Sequence, residues 1–231
     1  MISIVIVTYN AVNTLQKCLD SIYSQSSPGI QIILIDGEST DGTQEIVLKN
    51  KEKLSYVISE PDAGIYDAMN KALERINTPW VYFLGADDIL LPDFSTFLSV
   101  LTQPNFIYYA DVHYKGAVHS GDVKPYRQAK SGIFHQSIIY PSAIFKHYKY
   151  NTRYAIAADY ALNMQLYKDP KYTFKHFDYT IAHYNDTGIS ADHKDANFEA
   201  DKSRLIRENF GFTIWLRYQF RMFKSKRSKQ K

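Results

Sequence analysis

Four apolar runs, Ile2 to Val7, Gln31 to Ile35, Tyr56 to Ser59 and Val81 to Leu84, each stop at a polar loop, and they constrain this chain more than any other feature. They are mostly continuous rather than alternating, as expected of parallel strands covered on both faces. Helical patterns lie between them, near Thr14 to Tyr23, Thr43 to Asn50 and Ile65 to Arg75. This β-α-β-α rhythm predicts an α/β doubly wound sheet flanked by helices. The 231 residues suit one large α/β domain or two small ones.

The loops after the four runs carry most of the polar chemistry. They are Thr8-Tyr9-Asn10, Asp36 through Thr43, Ser59 through Gly64, and the adjacent acids Asp87-Asp88. In a parallel sheet all four open on the carboxyl edge, where open α/β sheets bind ligands. Two neighbouring carboxylates repel unless a cation sits between them, and a hard divalent ion shared with substrate phosphates meets that need. The plain alternative is a solvated turn, with Pro92 close behind. Neither the dinucleotide fingerprint nor the P-loop pattern is present, so a phosphate ligand has to rely on a metal and scattered donors.

Composition removes several classes. A formal net charge of +3 is too small to mark a nucleic-acid binder by charge alone. The lone cysteine, Cys18, excludes an intramolecular disulfide framework and suits a reducing, cytoplasmic compartment. It shares a helical face with Leu15, Leu19 and Ile22 and reads as core. Ile2 to Val7 is too short for a signal peptide. No stretch approaches the roughly 20 apolar residues of a membrane span, so the expectation is a soluble or peripheral protein.

The residues Ile4 to Asn10, Asp36-Gly37 with Ser39-Thr40-Asp41-Gly42-Thr43, Glu60-Pro61-Asp62 with Gly64 through Lys71, and Phe83-Leu84 with Asp87-Asp88 resemble family 2 glycosyltransferases of the GT-A fold. The likeness runs in order and spacing through roughly the first hundred residues. It is nearest to bacterial enzymes that build capsule, exopolysaccharide or lipopolysaccharide O-antigen chains. It implies a Rossmann-like, mostly parallel sheet, a mixed acceptor-side subregion and a C-terminal amphipathic helix. The implied layout is a nucleotide-sugar-binding half (1–110), an acceptor-binding half of the same domain (111–200) and a helix with a basic tail (201–231).

The resemblance also implies site residues. Thr8, Tyr9, Asn10 and Asp36 would cradle the nucleotide, with UDP the default. Asp87 and Asp88 would bind the diphosphate and Mn2+ or Mg2+; Gly85 stands where many relatives have a first acid, so which aspartate meets the metal stays open. Asp67, Asn70 and Lys71 match a helix start that helps hold the nucleotide, although Met69 replaces a common Arg. Glu38 replaces a small residue. Asp159 matches the family's catalytic base, with Ala158 where a Glu often stands; alternatively it only starts a helix, favoured by the positive dipole end. His135-Gln136 resembles a His-Gln element near the donor sugar, against the plain reading of a buried, hydrogen-bonded His. His183 and Asp186 through Ser190 fall where relatives carry a lid, with His183 a candidate further metal ligand.

The second half is more aromatic, with strand candidates Phe106 to Tyr114, Ile133 to Tyr140 and Tyr172 to Tyr184. Their Tyr residues suit either sugar stacking or a Tyr-rich core. From Phe212, residues Trp215, Leu216, Phe220 and Phe223 form one helical stripe and Arg217, Arg221 and Lys224 another. That pattern suits the anionic inner face of a cell membrane, or else a helix packed on the body before a basic tail.

The function expected is therefore an inverting, metal-dependent glycosyltransferase moving a sugar from a nucleotide diphosphate donor to a saccharide or lipid-linked acceptor. Gly85 and Ala158 keep a second class open, a nucleotide-sugar-binding subunit without turnover. A nucleotidyltransferase would show a Gly-rich, basic loop where this chain has Thr8-Tyr9-Asn10.

Overall fold

In a computed structural model, which describes residues 1–185 and 194–228, the chain builds one nine-stranded mixed sheet. Its strands are β1 (Ile2–Thr8), β2 (Ile30–Asp36), β3 (Tyr56–Ser59), β4 (Trp80–Gly85), β5 (Ile89–Leu90), β6 (Phe106–Tyr114), β7 (Ala117–His119), β8 (Ile138–Pro141) and β9 (Thr173–His183). The spatial order is β3-β2-β1-β4-β8-β6-β9-β5, with β7 hairpinned onto β6. The first four strands are parallel, β8 runs against both β4 and β6, and β9 runs with β6. The helices are α1 (Leu15–Tyr23), α2 (Thr43–Asn50), α3 (Ile65–Leu73), α4 (Asp93–Leu98), α5 (Pro125–Ser131), α6 (Ala158–Lys168) and α7 (Ala196–Ser228).

Burial explains why the first strands read as unbroken apolar runs. All of β1 is buried, yet successive side chains go to different layers. Val5 and Val7, with Val81 and Phe83 of β4, pack with Tyr66 and Met69 of α3 and Leu162 of α6. Ile4 and Ile6, with Tyr82 and Leu84, pack with Leu15, Cys18 and Leu19 of α1 and Phe94 and Phe97 of α4. Both faces are dry, so a period of two is invisible in hydropathy but present in packing. Cys18 is core as expected, and burial holds its thiol protonated.

Three expected elements differ in detail. α3 stops at Leu73 because Glu74 and Arg75 donate to Lys71 and Ala72 in tighter turns, leaving Arg75 outside the helix. Ile133 to Tyr140 is not one strand: His135–Ser137 is a 3-10 turn, and pairing with β4 and β6 begins only at Ile138. α7 is two helices joined at Gly211, whose φ of 82° and ψ of 174° break the ladder. The limit between residues 110 and 111 falls inside β6 and that between 200 and 201 inside α7, so both halves of the chain share one sheet.

Candidate active site

The carboxyl ends of β1, β2, β3 and β4 lie on one edge because these strands are parallel and adjacent. Hydrogen bonds stitch their loops together. The Asn10 amide donates to Ser39 Oγ (2.8 Å), the Thr40 amide donates to Asn10 Oδ1 (2.9 Å), and the Gly37 amide donates to the Thr8 carbonyl (2.9 Å). Asn10 and Glu38 hold φ of 51° and 61°, a left-handed conformation that non-glycine residues adopt at some cost and that concentrates at binding sites. Asp36 is fully buried and accepts from the Ser39 amide and the Ser39 and Ser59 hydroxyls, so its charge anchors the second loop to β3. Thr8 Oγ1 is buried there with no hydrogen-bond partner.

Tyr9 is 67% exposed, an unusual position for a large ring. A Cβ at Gly37 would lie 2.7 Å from Asp62 Oδ2 and 3.4 Å from Tyr9 Cδ2, so the glycine lets an open aromatic and a carboxylate approach the same turn. Asp67, Asn70 and Lys71 serve neighbouring chain segments. Asp67 accepts from the Ala63 amide (3.0 Å), Lys71 pairs with Glu60 (3.0 Å) and donates to the Pro61 carbonyl (2.7 Å), and Asn70 bonds both backbone groups of Tyr150. Together they fix the third loop and dock the Tyr150 segment against α3.

Asp87 and Asp88 follow β4, but they differ. Asp88 is buried, with Oδ1 accepting from the Asn185 amide (2.8 Å) and Oδ2 from the Gly85 amide (3.2 Å), whereas Asp87 is half-buried. Burial, reinforced by Asp87, pushes Asp88 up to about 7 against the pull of the Asn185 amide, and burial also raises Asp87. No ion pair among the described residues offsets this charge. A Cβ at Gly85 would stand 2.6 Å from Asp88 Oδ2 and 2.9 Å from Asp87 Oδ1, so the glycine makes room for the pair to fold back over it. Among the described residues no group of three His, Cys, Asp or Glu is placed to hold a metal. Two acids with no ion-paired cation among the described residues fit a divalent ion whose remaining ligands are substrate phosphates and water.

Asp159 lies in the first turn of α6, half-buried. Tyr66 of α3 donates its hydroxyl to Asp159 Oδ1 at 2.6 Å, and burial with the Asp159 charge keeps that phenol protonated. The turn before α6 is held by Asp195, which accepts from the Ile156 and Ala157 amides (2.9 and 3.2 Å) and caps α7 at the Phe198 amide (3.0 Å).

His135-Gln136 joins the two ends of the site. The Gln136 side chain stands near Asp88 and favours its charged form, and the Gln136 carbonyl accepts from Tyr82 Oη (2.6 Å). His135 stacks on Phe83 (5.2 Å), hydrogen-bonds Tyr150 Oη (3.0 Å), and is held neutral by burial against the opposing pull of Asp159. Tyr150 packs on Tyr66 (5.3 Å), completing a contact chain from the paired acids to Asp159. His183 stacks on His113 and pairs opposite Ile89, and no ligand cluster among the described residues includes it. The segment Asp186 through Ser190 lies outside the described residues.

Asp62 and Tyr66 stood inside the quoted motifs without a role, and their contacts supply one. Tyr150 carried no signal, because its partners are far away in sequence, and Asp195 offered only its local cap at Phe198, its bonds to Ile156 and Ala157 being distant.

Known proteins share sequence and fold with this chain. A family model described as Glycosyl transferase family 2 matches residues 3–173. A PGL/p-HBAD biosynthesis glycosyltransferase of Mycobacterium tuberculosis is 32% identical over 203 residues, covering 81% of this chain and 78% of its own. The S. aureus TarS 1-349 structure in complex with UDP-GlcNAc superposes with a TM-score of 0.68 at 18% identity, over 89% of this chain and 64% of that one. The mannosyltransferase PcManGT from Pyrobaculum calidifontis, in complex with GDP-Man and Mn2+, gives 0.61 at 20% identity, over 78% and 56%. At these identities the two structures speak for the fold alone. The chain belongs to glycosyltransferase family 2 and is a glycosyltransferase with the GT-A fold.

Proposed function

We propose that the chain transfers a sugar with inversion from a nucleotide diphosphate sugar, with UDP the expected nucleotide, to a saccharide or lipid-linked acceptor in bacterial surface glycan assembly. The observation that carries this reading is the joined pair of ends: Asp87 and Asp88 at one, Asp159 on Tyr66 at the other, with His135-Gln136 between. Inversion requires one group to deprotonate the acceptor hydroxyl on the face opposite the leaving group, the logic that inverting glycosidases share. Asp159 takes that proton. The Tyr66 hydroxyl orients the carboxylate and leaves its second oxygen for the acceptor. Tyr9 and Asp62 frame the nucleotide base, and the loops tied by Asp36 and Asn10 set the width of that slot.

The other end must tolerate the charge of the departing diphosphate. Asp87, the less buried acid, faces the ligand, while Asp88 holds Gly85 and Asn185 in place. A divalent cation bound there supplies Lewis-acid charge to the diphosphate, so no protein general acid is needed. The biosynthetic glycosyltransferase role of the mycobacterial relative, and the UDP-GlcNAc and Mn2+ bound by the structural neighbours, support donor class, acceptor class and cofactor.

Thermal unfolding against a panel of nucleotide sugars with Mn2+ tests this reading. A true donor at about a hundred times its dissociation constant is expected to raise Tm by about 5 to 10 °C. No shift with any nucleoside diphosphate sugar would contradict it.

A further inference from the structure

The helix beyond Gly211 presents an apolar ridge that the transfer site does not use. Phe212, Leu216, Phe220 and Phe223 fall on one stripe at spacings of four, four and three, and they are 60%, 53%, 60% and 51% exposed. Large side chains are seldom left open in a row. The opposite face is anchored. Trp215 Nε1 and Gln219 Nε2 both donate to Ser203 Oγ (3.0 and 2.9 Å), Tyr218 is buried, and the Arg217 guanidinium lies 3.9 Å over the Tyr126 ring of α5. Trp215, expected on the open stripe, therefore belongs to the packed face, and Phe212 extends the ridge instead.

Charge says what the ridge meets. After Glu208 there is no acid, while Arg217, Arg221, Lys224, Lys226, Arg227, Lys229 and Lys231 follow. Lys224 sits over the Phe220 ring (4.7 Å) and Arg227 over Phe223 (4.3 Å), so cations flank the apolar stripe itself. The distal helix, 212–228, is about 25 Å long, and no described helix is long and apolar enough to cross a membrane. A second copy would bring two basic flanks together, and a nucleic acid would have no use for four open apolar side chains. An apolar ridge edged by cations on a helix docked by its other face is the geometry for lying in the headgroup layer.

We infer that residues 212–228 seat the protein on an anionic lipid surface, with Phe212, Leu216, Phe220 and Phe223 entering the acyl boundary and the flanking Arg and Lys pairing with lipid phosphates. The inference rests on this helix and not on the transfer reaction.

Co-sedimentation of the full chain with vesicles of phosphatidylglycerol mixed with phosphatidylcholine tests it, against phosphatidylcholine alone. Binding to the anionic vesicles only is expected, lost as salt nears 1 M, where the Debye length is about 3 Å. Arg221→Gln with Arg227→Gln is expected to lower partitioning by roughly thirtyfold, about fivefold per cation. Leu216→Ser with Phe220→Ser is expected to lower it at least about tenfold, with donor-induced stabilisation unchanged as the check on folding. Equal binding to both vesicle types, binding indifferent to the charge variant and to salt, or concentration-dependent self-association that the apolar variant abolishes would each overturn the proposal. The salt series and charge variant decide the matter even if the apolar variant fails to fold.

Discussion

Asp159→Asn is expected to lower the turnover for sugar transfer by about a thousandfold, while Tm and donor binding stay near wild type. The substitution keeps size and shape, and the amide oxygen still accepts the 2.6 Å hydrogen bond from Tyr66. What disappears is the ability to take a proton. If Asp159 served only to start α6, its loss would cost about 0.3 to 1 kcal/mol of stability through the helix dipole and leave turnover unchanged. Tyr66→Phe separates orientation from chemistry: it leaves the base but frees its carboxylate, so a smaller fall in turnover than for Asp159→Asn is expected from the same steady-state assay.

Asp87→Asn is expected to abolish stabilisation by Mn2+ with UDP and to cut transfer by about a hundredfold or more. Asp88 alone would then face the ligand, and both of its oxygens already accept backbone amides. The pair also gives binding a pH dependence. With no cation bound, the Asp88 carboxyl protonates at about 7, against the 3.8 of an unperturbed aspartate. The folded protein thus holds a proton that the unfolded chain lacks between about pH 4 and pH 7. In that window the Asp88 contribution to stability is greatest at the acid end and is lost as pH rises through 7. A divalent ion must displace this proton, so Mn2+ affinity measured by calorimetry is expected to fall below pH 7, by up to about tenfold per unit, and to level off above it.

Much of this site was legible because parallel strands convert order in sequence into neighbourhood in space. Once Ile2 to Val7, Gln31 to Ile35 and Val81 to Leu84 are strands of one parallel sheet, Asp36 and Asp87-Asp88 must share its carboxyl edge. Phe106 to Tyr114 was equally plain, as a run of aromatic and β-branched residues that became β6 over the same span. The losses came where tertiary contacts overrode local pattern. His135 reads as mid-strand, but stacking on Phe83 and bonding Tyr150 belong to a turn, and Ile133 to Tyr140 is split there. Trp215 fits the open stripe by spacing, yet an acceptor at Ser203 turns it inward. The hydrogen bonds of Asn70 to the backbone of Tyr150, eighty positions away, were likewise invisible, whatever its part in holding the nucleotide. Such long-range partners leave no periodic trace in a single sequence.

The anomeric configuration of the transferred sugar, read by NMR from the coupling constant of the product, tests the central claim most directly. A single displacement with Asp159 as base and the diphosphate departing beside Asp87 predicts a configuration opposite to that of the donor. A product that keeps the configuration of the donor would contradict that account.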